Sequence, residues 1–287
     1  MTAIFKRELK SYFTGMTGWL YTAFIVLFVG VYTMAYNLNA GYSQFEYVLD
    51  SMSFVFMLAV PVLTMRVFSE ERRNGTDKLL YSLPISTTGI VIAKFLAMLV
   101  VTLLPMVIIS VYPVILSQYG NVVYKTAYGA IVMYWLLGAA LASLGMFISS
   151  ITESQVISAV ITLVAVLIIY FMTGLASFVP TDASSSLMAF MVVALLVAVI
   201  IYVFSKNTLL TGIAIIAMLG GLMIAYAISS ASFEGLFASA MEQLSLFERF
   251  YTIIDGVFDL TNIVYYLSLV CVNVFLTVQA LEKRRWN

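Results

Sequence analysis

The chain has 287 residues, 63% of them hydrophobic and 10% charged, with a mean hydropathy of +1.05. A soluble domain carries about 25% charged and about 45–50% apolar residues, so a single water-surrounded core is excluded and lipid is the main solvent. Formal net charge is zero and histidine is absent, which removes an electrostatic basis for nucleic-acid binding, His-based acid–base catalysis and His-ligated metal sites. In lipid each backbone polar group needs an internal partner, which leaves helices or a closed barrel. Barrel strands alternate apolar and polar residues, whereas runs such as VVALLVAVIIYVF do not. The expected fold class is therefore an all-α membrane protein, a polytopic helical bundle forming one transmembrane domain over 1–287.

In chain order, residues 2–13 come first. Phe5, Leu9, Tyr12 and Phe13 share one side of a helical wheel, while Lys6, Arg7 and Lys10 lie elsewhere. This pattern predicts an interfacial helix on the membrane surface. It reads either as a positive anchor or as a link from a partner's movement to the first span. Eight membrane segments follow, at about 17–36, 51–68, 87–117, 126–149, 156–179, 187–204, 209–230 and 260–281. The third is long for one straight crossing, and Pro105 and Pro113 predict a kink or break in it. Only Ser205, Lys206, Asn207 and Thr208 join the sixth and seventh, which predicts a tight helical hairpin over 187–230. Six crossings remain the alternative, with that hairpin peripheral. The segment 231–259 is too polar to span. Phe233, Leu236, Phe237, Ala240, Met241 and Leu244 recur at helical spacing there, which predicts one or two short helices on the outer surface, as a cap or as a connector.

Basic residues orient the chain. With the N-terminus in the cytoplasm, Lys6, Arg7, Lys10, Arg66, Arg72, Arg73, Lys78, Lys94, Lys206, Lys283, Arg284 and Arg285 are inside, and Lys125 and Arg249 outside. That is twelve of fourteen on the side the positive-inside rule demands. Both termini are then expected to be cytoplasmic. Lys94, near the inner end of the third span, reads as a snorkelling anchor. Cys271 reads as a buried apolar residue of the last span.

The inner loop RVFSEERRNGTDKLLYSLPIS, residues 66–86, carries the most information. Asn74-Gly75 signals a turn, Thr76 can cap a helix, Asp77 suits its first turn, and Leu79, Leu80 and Leu83 form an apolar edge. Pro84 stops that helix, and Ser86 or Thr87 can cap the next span. A short stiff helix held between two spans can fit a groove on a soluble partner. An ordinary charged loop is the plainer alternative.

This stretch resembles the coupling-helix signature of the ABC-2 family of membrane transport subunits in Glu70, Glu71, Arg72, Arg73, Gly75, Thr76, Leu79, Leu80, Pro84, Ile85 and Ser86. The end of the chain is similar to the branch holding the permeases of gliding motility and of nitrous-oxide-reductase maturation. That likeness rests on Phe247, Phe250, Gly256, Asp259, Tyr265, Tyr266, Leu267 and a terminal basic cluster. The resemblance implies a six-span core, to which 187–230 would be an extra hairpin. It also implies a permease without catalysis of its own, working as an exporter in a bacterial cell membrane. The chain has no G-x-x-x-x-G-K-[ST] phosphate loop, in keeping with ATP and Mg²⁺ being bound by a partner.

The implied partners are two copies of a cytosolic ABC ATPase and a second permease chain, identical or similar. An accessory extracytoplasmic protein could join them on the outer side. The implied coupling surface is Glu70, Glu71, Arg72, Arg73, Gly75, Thr76, Lys78, Leu79, Leu80, Leu83 and Pro84, with Phe5, Lys6, Arg7, Leu9 and Lys10 of the interfacial helix. Glu153 is either a second contact or a solvated loop residue. No substrate site or metal site is indicated. An ATPase-driven scaffold shares this loop. An ion-gradient transporter is disfavoured because no charge lies at mid-membrane, and an intramembrane enzyme by the missing histidine.

Overall fold

The computed structural model describes residues 1–77, 86–254, 256 and 259–286, and only the backbone at 200, 203–205 and 286. Every regular element among them is helical. The helices are α1 (Thr2–Thr14), α2 (Thr17–Thr33, prolonged by a π turn, Met34–Asn39), α3 (Glu46–Ser51), α4 (Phe56–Thr64), α5 (Ser69–Arg73), α6 (Thr87–Ile109), α7 (Tyr112–Leu116), α8 (Tyr124–Ile151), α9 (Gln155–Tyr170), α10 (Met172–Ala176), α11 (Ala183–Ser205), α12 (Thr208–Ile228), α13 (Leu236–Leu244), α14 (Leu246–Ile254) and α15 (Leu260–Trp286).

Six helical stretches among the described residues are long and apolar enough to cross a bilayer: Thr17–Asn39, Glu46–Arg73, Thr87–Leu116, Tyr124–Ile151, Thr208–Ile228 and Leu260–Arg285. Two further apolar helices, Gln155–Tyr170 and Ala183–Val199, are shorter over their described residues. They occupy the expected fifth and sixth segments. The protein is thus a polytopic helical membrane protein.

By internal contacts the chain forms two compact units, Met1–Ile169 with Arg249–Asn287, and Tyr170–Glu248. In the first, α8 is the centre and packs on α15, α4, α6 and α3. Lipid tails give no hydrophobic push between helices, so close approach of small residues carries the packing. A Cβ at Gly138 would stand 3.1 Å from the Phe56 ring, and one at Gly145 would collide with the Thr64 side chain. The Phe56 ring stacks on Tyr134 at 4.4 Å, and Phe250 meets Tyr134 edge-on at 5.7 Å. Polar ties finish the contact: Asn273 Nδ2 donates to Ser143 Oγ at 3.0 Å, and Trp135 Nε1 to Thr102 Oγ1 at 3.1 Å. Cys271 is exposed on α15, correcting the buried role expected for it. The helix turns Asn273 and Thr277 inward instead.

Pro105 stays inside α6, and the expected break comes after it, between Ile109 and Tyr112. Pro113 opens α7, where its missing N–H costs no helical bond.

In the second unit, α11 and α12 pair as the hairpin the short linker predicts. Lys206 turns left-handed (φ 48°), and the Asn207 side chain caps α12 by accepting from Leu209 N and Leu210 N at 3.0 and 3.3 Å. A 3₁₀ turn, Ser230–Phe233, and α13 lie in this unit's share of the polar segment. Within the unit, Phe190 meets Phe237 and Tyr226 meets Phe233, with ring centroids 5.2 and 5.5 Å apart.

Candidate coupling site

Five helix ends meet at one end of the first unit: those of α1, α5, α6, α8 and α15. α1 ends at Gly15, and Met16 takes a left-handed turn (φ 61°) before α2 begins. A Cβ at Gly15 would lie 2.9 Å from the Ser11 carbonyl oxygen, so the reversal needs glycine there. This turn lays α1 against α6. The buried edge of α1 is Ile4, Tyr12 and half-buried Glu8, one turn apart, while Lys6, Arg7 and Lys10 stay exposed. Phe5, Leu9 and Phe13 are half-buried. Burial, with the Glu8 charge beside it, holds the Tyr12 phenol well above its ordinary range and so neutral.

Lys94 stands about 10 Å into α6 from Thr87, at 1.5 Å per residue, with only 1% of its surface exposed. Its Nζ lies 3.3 Å from Glu8 Oε2 and 3.1 Å from Glu71 Oε1. It donates to the Val67 carbonyl at 2.8 Å, over the Phe68 ring at 5.1 Å. This corrects the snorkelling anchor expected of Lys94. Carboxylates from α1 and α5 reach it inside the bundle, so the ammonium has no need of the membrane surface. Arg7 completes the group, binding Glu8 Oε1 at 2.6 Å and Glu71 Oε1 at 2.8 Å. Two positive and two negative charges balance, with Arg7 on the wet side, the condition under which the buried Lys94 ammonium is tolerated.

α5 is held on its other sides as well. Its acidic residues, Glu70 and Glu71, lie in the first turn and its basic ones, Arg72 and Arg73, in the last, which suits the helix dipole. Arg66 grips Glu70 with two bonds of 2.7 and 2.9 Å and donates to Thr17 Oγ1 at 2.9 Å. Ser149 of α8 accepts from the N–H groups of Phe68 and Ser69 at 3.1 and 3.3 Å. Arg72 donates to the Thr152 carbonyl at 2.9 Å. A polar cavity of about 30 Å³ lies among Glu8, Tyr12, Thr17, Arg66 and Glu70, large enough for water.

Beyond α5 the chain turns outward. Arg73, Asn74, Gly75 and Thr76 are exposed. Gly75 is left-handed (φ 67°), and Thr76 N binds the Glu71 carbonyl at 2.9 Å. Lys78, Leu79, Leu80, Leu83, Pro84 and Ile85 lie outside the described residues. Ser86 is the cap of α6, accepting from Gly89 N at 3.2 Å. Glu153 is 74% exposed and pairs with Arg284 at 2.5 Å. Thr87 donates to Glu282 at 2.8 Å.

Of the residues picked out by sequence, the site brings together Arg7, Glu70, Glu71 and Arg72. It leaves Lys6, Lys10 and Arg73 at the surface. Sequence reasoning overlooked Glu8 and Ser149. The one-turn spacing of Ile4, Glu8 and Tyr12 was the available signal for Glu8. Ser149 had none.

Long apolar helices that end together in a charged cluster define a multi-pass membrane protein with one elaborated face. The profile described as ABC-2 family transporter protein matches residues 2–186, more than half of the chain. The chain belongs to this family, whose members are permease components of ABC transporters, typically without catalytic activity, and work with an ATPase partner. No curated protein and no solved structure matches the chain.

Proposed function

We propose that the chain is the membrane-spanning permease of an ABC exporter driven by a separate cytosolic ATPase. Lys94 carries this reading. Its ammonium joins Glu8 of α1 and Glu71 of α5 to the third span, so movement of α1 or of the loop after α5 is passed to α6. Charges shut off from water separate only at high cost. The exposed turn at 73–76, with the segment 78–85 that follows, is the docking stretch, and Glu153 offers a second contact. Glu70, Glu71 and Arg72 act behind it, holding the docking stretch to the spans.

In this reading two ATPase subunits bind ATP and Mg²⁺, and two permease chains, identical or similar, form the route between them. Both termini are cytoplasmic and the membrane is a bacterial inner membrane. The narrower likeness to the motility and nitrous-oxide-reductase branch rests on residues 244–286, beyond the matched part of the chain.

The test uses the chain with its ATPase in proteoliposomes. Arg73→Glu should weaken co-purification of the ATPase while membrane insertion is unchanged. The neutral triple variant Glu8→Gln, Glu71→Gln, Lys94→Met should keep the ATPase bound yet lose ATP-dependent cargo movement. Undiminished movement in that variant overturns the coupling role. ATP hydrolysis by the wild-type complex with no movement of any cargo would replace the exporter with an ATPase-driven scaffold.

A further inference from the structure

At the end of α2 remote from the charged cluster, the helix widens into the π turn Met34–Asn39 before the chain crosses to α3. A cavity of about 500 Å³ opens there, lined by Tyr36, Tyr42, Gln44, Tyr47, Asp50 and Ser51. Small-molecule sites fall in the range of about 300–1,000 Å³. Three tyrosines that line it are 37%, 54% and 41% exposed (Tyr36, Tyr42 and Tyr47), so the rings are open to a ligand. Among the described lining residues Asp50 alone carries a charge.

The cup is shaped in advance. Buried Asn37 donates through Nδ2 to the carbonyls of Tyr42 and Gln44 at 2.7 and 3.3 Å. Tyr42 N binds the Tyr36 carbonyl at 3.1 Å, and Gly41 supplies the left-handed turn (φ 75°) between them. The Tyr36 and Tyr42 rings stand 6.4 Å apart at 41°, and Tyr32 stacks behind Tyr36 at 6.0 Å. π turns within helices recur at functional sites.

We propose that this cup binds an alkylated ammonium group, as in a choline-type head. Aromatic faces attract cations through the ring quadrupole, and quaternary ammonium is the cation that clusters of rings hold best. A carboxylate beside the rings adds charge complementarity. A hard metal ion would want six or more oxygen ligands, and the lining offers one carboxylate. Tyrosines also gather at membrane surfaces as anchors. Anchoring rings, however, need no shared cavity and no carboxylate among them. The proposal is independent of the transport reading, because binding is read on this chain without an ATPase.

The test places the chain, with ¹³C-labelled tyrosine, in phosphatidylglycerol nanodiscs and titrates tetramethylammonium and phosphocholine. Saturable shifts of the Tyr36, Tyr42 and Tyr47 ring signals are expected. Asp50→Asn and Tyr42→Leu should each weaken binding about tenfold, while Tyr42→Phe, which keeps the ring, binds as the parent does. Tyr119→Leu, at a 75% exposed tyrosine outside the cup, should have no effect. If phosphatidylcholine nanodiscs alone produce the shifts and exclude tetramethylammonium, the ligand is a lipid head group. If they do not, it is a soluble ammonium compound. No saturable shift, or binding untouched by both Asp50→Asn and Tyr42→Leu, overturns the proposal.

Discussion

Two spans of nearly equal hydropathy have opposite fates. α8 and α12 have apolar stretches of mean hydropathy 2.0 and 2.2, yet 72% of one is buried and 6% of the other. Both contain glycine. Gly138 and Gly145 of α8 each face a side chain at contact distance, whereas a Cβ at Gly212, Gly220 or Gly221 of α12 meets nothing within 4 Å. Hydropathy therefore assigns a helix to lipid without assigning it a neighbour. Since lipid is as apolar as leucine, neighbours are chosen by close approach and by polar ties. α8 has both; among buried residues α12 offers only Thr211.

The comparison can be strained most at the charged junction that α8 supports. Lys94→Met removes the buried cation between Glu8 and Glu71 and leaves them only the exposed Arg7, and should cost about 3 kcal/mol. Denaturant unfolding in detergent would show it, and the neutral triple variant should recover most of the loss. A cost no greater than that of exposed Lys125→Met would mean the junction is not held by charge.

Gly145→Ala comes next. Its new methyl must displace Thr64, at about 1–3 kcal/mol, read from the same unfolding curves. Ser149→Ala removes the acceptor for two buried N–H groups at the start of α5. About 1–2 kcal/mol should be lost, with faster hydrogen exchange at Phe68 and Ser69. Smallest of all, Gly220→Ala and Gly221→Ala in α12 should raise stability by up to about 1 kcal/mol each through helix propensity. A clear loss there would reveal a close contact at these glycines and dissolve the contrast with α8.

Much of the fold was legible beforehand. Long apolar runs mark the spans, because the bilayer core sets their length. The cap at Ser86, the turn at Asn74-Gly75 and the hairpin at 205–208 were readable because turn and cap chemistry is local. The break near Pro113 was readable for the same reason, although the chain breaks before that proline. The charged cluster was half legible. Its charged motif was visible, but Glu71 faces Lys94 and Arg7, which no local pattern indicates.

By itself, then, the sequence determined the solvent, the helices and the polar breaks between them, since hydropathy and turn propensity act over neighbouring residues. Only the tertiary structure decided which polar residues face one another. A lysine in an apolar run can reach for the membrane surface or be met by carboxylates from elsewhere in the chain. Lys94 is met by Glu8 and Glu71, because the tight turn at Gly15 and Met16 lays α1 on α6, and Ser149 and Arg72 hold α5 to α8. The ends of distant helices, brought together by packing, made a paired cluster out of what had been read as an anchor and a docking residue.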